Sequence, residues 1–258
     1  MIQKLLQEIP CKVHMIVKDM ETNHVFISER IDEVFSSASL IKVPILLGVL
    51  DHVERNNLSL DQVIPITADN SLEFSVISEQ QLESLTLYEL LVWMIITSDN
   101  TATNVLIDYV GMDVLNQYFR KIGLKQTKLR RKMMDFDCLA NGMDNVTTVR
   151  DMEVIFTRFY RRDLLTPLFS ELIIDILSRQ RMHESLKRYL VDDLKIIHKT
   201  GGLETVDHDV GIIYSNTIDY MIGVCLTNVT NNNDAQQLIG RISKIIYENL
   251  VIQRGELR

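Results

Sequence analysis

At 258 residues, 46% hydrophobic and 24% charged, the chain is long enough to bury a sizeable core, as one domain or two closely packed lobes. A net charge of −8 leaves no excess of clustered lysine and arginine to meet phosphates, which argues against a nucleic-acid partner. Three cysteines without a C-x-x-C spacing and six histidines without H-E-x-x-H imply buried, reduced thiols, with no disulfide framework, metal site or cofactor.

In chain order, "MIQKLLQEIPCK" predicts a short amphipathic helix, with Ile2, Leu5, Leu6 and Ile9 at helical spacing. It holds no apolar run of signal-peptide length, and no stretch of about 20 apolar residues follows. The chain as written therefore reads as cytoplasmic and without a membrane partner. A chain that had already lost a leader would read the same and be secreted or periplasmic. "KVHMIVKDM" and "HVFISER" predict two strands joined in a hairpin at "ETN".

From residue 39 the pattern turns helical. "LIKVPILLGVLDHVER" has helical length, with Pro44 in its first turn, where a missing N–H does least harm. "TLYELLVWMIITS" opens on a capping box, Thr86 with Glu89, while "TATNVLIDYVG" and "MDVLNQYFRKIG" each stop at a glycine. "TTVRDMEVIFTRFY" and "PLFSELIIDILSRQ" add two helices, and "LRRK" and "YRRD" read as helix ends or ion-pair partners. The period then changes: "LKIIHKTGG", "HDVGIIYS" and "DYMIGVCLTNV" predict three strands before a closing amphipathic helix, "DAQQLIGRISKIIYENLV". Early and late strands share a sheet only if the chain ends meet. The expected fold is α+β: an antiparallel sheet built from both ends and flanked by terminal helices, with an inserted helical lobe. The α/β lobe takes residues 1–38 and 190–258, and the helical lobe 39–189.

Three short words carry chemistry. Ser39 is the only serine followed at i+3 by a lysine, Lys42, and on a helix the two share a face. "SDN" at 98–100 and "KTG" at 199–201 also occur once each, in the order known for class A β-lactamases and penicillin-binding proteins. With their contexts, "SASLIKVP", "SDNTATN" and "KTGG" followed by "DVGIIY", the chain resembles that family over nearly its whole length.

The resemblance implies a β-lactamase/transpeptidase-like fold and an acyl-enzyme on Ser39, the nucleophile at a helix N-terminus. Lys42 would accept its proton, with a pKa lowered by burial and by a second cation, Lys199. Lys199, Thr200 and Gly201 would hold a substrate carboxylate, Ser98 would relay a proton to the leaving nitrogen, and Asn100 would hold a side-chain amide. The backbone N–H groups of Ser39 and Gly202 would form the oxyanion hole. Asp99 reads instead as a helix cap, and an asparagine at the position of Asn104 braces a neighbouring loop in the family. His198 reads as strand packing and His208 as a residue near the cleft rim.

One part is missing. The family's lactamases activate the deacylating water with a glutamate, but the corresponding stretch, "TKLRRKMMDFDCLANGMDNVTT", puts Met133 there. No glutamate occurs between Glu89 and Glu153. Asp135 and Asp137 are the nearby carboxylates, read either as a base or as loop braces and turn caps. The leading expectation is hydrolysis of a β-lactam ring. Two alternatives stay open: a D-Ala-D-Ala peptidase or small-acyl esterase or amidase of the same fold, and a module that acylates once and stays modified.

Overall fold

The computed structural model describes residues 11–191 and 193–252; the expected N-terminal helix lies outside them. Five strands form one antiparallel sheet in the order β2-β1-β9-β8-β7. They are β1 (Lys12–Asp19), β2 (Val25–Glu29), β7 (Ile196–Leu203), β8 (Val206–Ile213) and β9 (Tyr220–Thr227). The first strand thus lies against the last, the closure that the split strand pattern requires.

Alternation along the strands divides the core in two. Met15, Val17, Ile222 and Val224 face the closing helix α9 (Asn232–Tyr247), meeting its Ile239, Ile242 and Ile246. Ile16, Ile197, Val210 and Met221 face the other way, into a larger core shared with the helices. Because both faces are covered, β8 is buried along its whole length.

Chain order within the helical part follows local signals. Helix α1 (Lys42–Arg55) carries Pro44 in its first turn, and α3 (Leu87–Ile96) begins at the Thr86–Glu89 capping box. Asp99 caps α4 (Asn100–Val110), and Gly111, at φ +91°, separates it from α5 (Met112–Lys121). Thr148 caps α7 (Val149–Arg161), and Pro167 opens α8 (Pro167–Ser178). The basic runs are tied down: Arg131 pairs with Asp144, Lys132 with Asp108 and Arg162 with Glu171. The helices are also pinned to the sheet, Lys18 of β1 meeting Glu153 of α7 at 2.8 Å.

Two small ladders and two short helices carry too little sequence pattern to be predicted. Strand β3 (Phe35–Ser36) pairs with β6 (Val146–Thr147), and β4 (Val63–Pro65) with β5 (Ser84–Thr86). Helices α2 (Val76–Glu79) and α6 (Phe136–Ala140) span about one turn each. The three cysteines are free, but only Cys225 is buried; Cys11 and Cys138 are half-exposed. No described helix is long and apolar enough to cross a membrane.

Candidate active site

Three distant segments meet at one cleft: the turn before α1, the link between α3 and α4, and the end of β7. The first is a 3-10 turn, Ala38–Ile41, that runs directly into α1. Ser39 sits in this turn and lines the cleft. The turn's entry, Ala38, and the link's Ser98 both adopt left-handed backbone (φ +43° and +58°). Non-glycine residues hold such conformations only where the surroundings over-determine them, which is common at functional sites.

Lys42, one turn beyond Ser39, is fully buried. Its ammonium donates to Ser98 O (2.5 Å), Ser98 Oγ (3.1 Å) and Asn100 Oδ1 (2.7 Å). These three bonds use all its hydrogens, and none goes to Ser39. Burial, and then the charge of Lys199, hold its pKa well below the usual lysine value. Lys199, equally buried, donates to Ser98 Oγ (3.1 Å) and Thr200 O (2.8 Å). Burial pushes its pKa down to about 7, opposed by the Asp209 carboxylate. Ser98 Oγ therefore accepts from both lysines and keeps its own proton to donate. Asn100, its oxygen taken by Lys42, likewise keeps its N–H hydrogens for a ligand carbonyl.

Of the two glycines after Thr200, Gly201 is the one with a close neighbour. A Cβ there would stand 3.1 Å from Ser39 N, Leu40 N and Ser37 O, so a side chain at 201 would push β7 and the turn that carries Ser39 apart by a few tenths of an ångström. At Gly202 the nearest neighbour of such a Cβ is Asp207 Oδ1, at 3.5 Å. Gly202, the next residue on the strand, lines the open cleft. The cleft, about 330 Å³, gathers Ser39, Ser98, Asn100, Thr200, Gly201 and Gly202.

It also gathers residues that no motif flagged: Phe74, Glu184, Asp207 and Gln236 among them. Phe74 is 90% exposed with φ +60°, an aromatic held out in water at the cleft mouth. The only trace of it in the sequence is a large apolar residue inside a polar loop.

The two aspartates stand elsewhere. Asp135 caps α6 by accepting from Cys138 N (2.9 Å), which lowers its pKa, and Asp137 is exposed; neither lines the cleft. Arg131 pairs with Asp144, and its charge adds a smaller lowering to the Asp135 pKa. Asp99 is fixed by Ser75 Oγ and the N–H groups of Val76 and Ala102. His208 is fully buried, its Nε2 2.8 Å from Ser36 O, so it lies beneath the site and not on its rim. His198 is buried with Nδ1 on Asp209 (2.9 Å).

Comparison with known proteins gives the family and the fold. A family model described as a β-lactamase enzyme family matches residues 1–250. The chain belongs to the β-lactamase enzyme family.

A β-lactamase of Rhodobacter capsulatus is 31% identical over 123 residues, 47% of this chain and 42% of that one. A β-lactamase of Bacteroides uniformis is 25% identical over 235 residues, 83% of this chain and 78% of the relative. Among solved structures, PBP-A superposes with a TM-score of 0.87 at 26% identity, covering 96% of this chain and 93% of that one. A leucine-to-glutamate variant of PBP-A has also been solved as its acyl-enzyme complex with penicillin G. The β-lactamase/transpeptidase-like fold expected from the motifs is the fold observed. Relative to the β-lactamase pattern, the departure is Met133, buried and held by its backbone to Asn104, with no carboxylate in its place.

Proposed function

We propose that this protein is a serine hydrolase of the β-lactamase type, acylated on Ser39 by a β-lactam or similar cyclic amide, and that it releases the acyl group slowly. The observation that carries the first half is the Ser98 hydroxyl, 3.1 Å from each of two buried lysines in the cleft that exposes Ser39. Lys42, its charge disfavoured by burial, takes the Ser39 proton as Oγ attacks the ring carbonyl. Ser98 hands its own proton to the departing nitrogen and is resupplied by Lys42. Lys199 and Thr200 attract a substrate carboxylate, Asn100 holds an amide carbonyl, and the N–H groups of Ser39 and Gly202 receive the oxyanion.

Slow release follows from Met133, because a thioether cannot take a proton from water and Asp135 and Asp137 lie outside the cleft. The same feature favours the penicillin-binding reading, acting on an acyl-D-Ala-like peptide, over rapid antibiotic hydrolysis; the likeness to PBP-A points the same way. Intact-protein mass, followed after mixing with about one equivalent of a penicillin, tests both halves. The expected result is an adduct that persists and is absent in Ser39→Ala. Rapid clearance would overturn slow release, and no adduct would overturn the β-lactam reading.

A further inference from the structure

The lining of the Ser39 cleft combines hydroxyls and amides with two carboxylates, Glu184 and Asp207, and no lysine or arginine is among the described residues that line it. The ammonium groups of Lys42 and Lys199 are buried behind Ser98 and Thr200 and engaged there. Asp207 is 4% exposed and stands opposite Gly202 in the β7–β8 ladder. Its oxygens are met by amides of α9, Asn232 Nδ2 at 2.6 Å and Gln236 Nε2 at 3.4 Å. Among the described residues, no cation pairs with it or with the exposed Glu184. A buried carboxylate is ordinarily paired with a cation, because burial removes the water that would stabilise its charge. Burial pushes the Asp207 pKa up, in part against the two amides, and the Asp209 charge adds to the rise. Gly202 leaves this carboxylate open to the cleft: a Cβ at 202 would stand 3.5 Å from Oδ1, where glycine puts nothing.

We propose that the cleft selects substrates that carry a cation close to their carboxylate, with Asp207 meeting the cation across Gly202 and Glu184 adding a second negative charge. Granted acylation at Ser39, the placement follows from the strand. Thr200, which takes the substrate carboxylate, and Gly202 are two residues apart on β7, so roughly 7 Å separates them. That spacing suits opposite charges on neighbouring substituents of one ligand. Asn232 and Gln236 steady the Asp207 carboxylate without neutralising it, and its burial keeps solvent and salt from screening the attraction. A substrate with a second anion at this place meets repulsion instead.

Two cephalosporins that share one acyl chain test this. Cephaloridine carries a pyridinium on the exocyclic methylene beside the ring carboxylate, and cephalothin a neutral acetoxy group there. Acylation rates with both are compared in the wild type, Asp207→Asn and Glu184→Gln, so that a general loss cancels in the ratio. The cephaloridine-to-cephalothin ratio should fall about tenfold in Asp207→Asn, the scale of one charged contact, and roughly two- to threefold in Glu184→Gln, whose charge is exposed. Equal ratios in all three proteins would overturn the preference. If neither compound acylates the wild type, acylation at Ser39 fails, and equilibrium binding of the same pair to Ser39→Ala decides the charge preference separately. Tighter binding of cephaloridine, lost when Asp207→Asn is added, sustains it; equal binding of the two overturns it.

Discussion

Asn104 holds Met133 from both sides: its Oδ1 accepts from Met133 N at 2.8 Å and its Nδ2 donates to Met133 O at 3.2 Å. The backbone at 133 is therefore fixed by α4, the helix that begins at Asn100, whatever side chain it carries. Around it, Asp151 gathers the N–H groups of Lys125, Gln126 and Thr127, and Asn145 those of Arg130 and Arg131. The loop is built as a support, and what it lacks at 133 is a base.

Met133→Glu supplies one. Release of a penicilloyl adduct should then accelerate by about 10²-fold, the usual scale for general base catalysis. Placing a carboxyl at a site only 8% exposed should also lower folding stability, by about 1–3 kcal/mol. Time-resolved mass and urea denaturation read the two effects separately; an unchanged adduct lifetime would count against slow release by loss of the base.

Acylation should follow a bell in pH. The acid limb is the loss of neutral Lys42 as pH falls, since burial and Lys199 disfavour its charge only down to a lowered pKa. The alkaline limb is the loss of the Lys199 charge above about 7. Asp209→Asn removes the carboxylate that raises the Lys199 pKa, so the alkaline limb should move to lower pH. Stopped-flow acylation across pH checks both limbs; a limb that stays put in Asp209→Asn would remove Lys199 from the assignment.

The same lysine weakens the fold. In the unfolded chain it titrates near 10.4 and in the folded one at about 7. Between these values the unfolded state binds the extra proton, so stability rises with pH over that window, and below about 7 the full penalty is present. Lys199→Met should raise stability at neutral pH by on the order of 1–4 kcal/mol, flatten that pH dependence and abolish acylation. Thermal melts between neutral and alkaline pH decide it: an equal or lower melting temperature at neutral pH would contradict the burial argument.

Gly201→Ala tests how closely β7 approaches the nucleophile's turn. The new methyl would meet three backbone atoms at 3.1 Å, with no flexible side chain to give way. The turn must shift by a few tenths of an ångström, and acylation should fall at least about 10-fold, given the sensitivity of a positioned nucleophile to misplacement. Gly202→Ala meets nothing closer than 3.5 Å and serves as the control. Equal losses in the two would refute the close approach.

What the sequence by itself determined is what local spacing encodes. Ser39 and Lys42 are one turn apart, the Thr86–Glu89 box starts a helix, Asp99 caps the next, and the period change near residue 195 marks the return to strands. These are short-range statements, and the main elements within the described residues follow them. Tertiary structure decided what depends on segments far apart in the chain. Ser98 lies 56 residues from Lys42 and 101 from Lys199, so its place between two ammonium groups has no trace in spacing. Asp135 serves as the cap of α6 while Asp137 stands in water, a difference of surroundings that their spacing in the sequence does not encode. Gly201 and Gly202 differ only in which face of β7 meets the Ser39 turn, and alternation along a strand gives neighbouring residues opposite faces. A cleft assembled from three segments is set by packing, which places side chains that the sequence can only name.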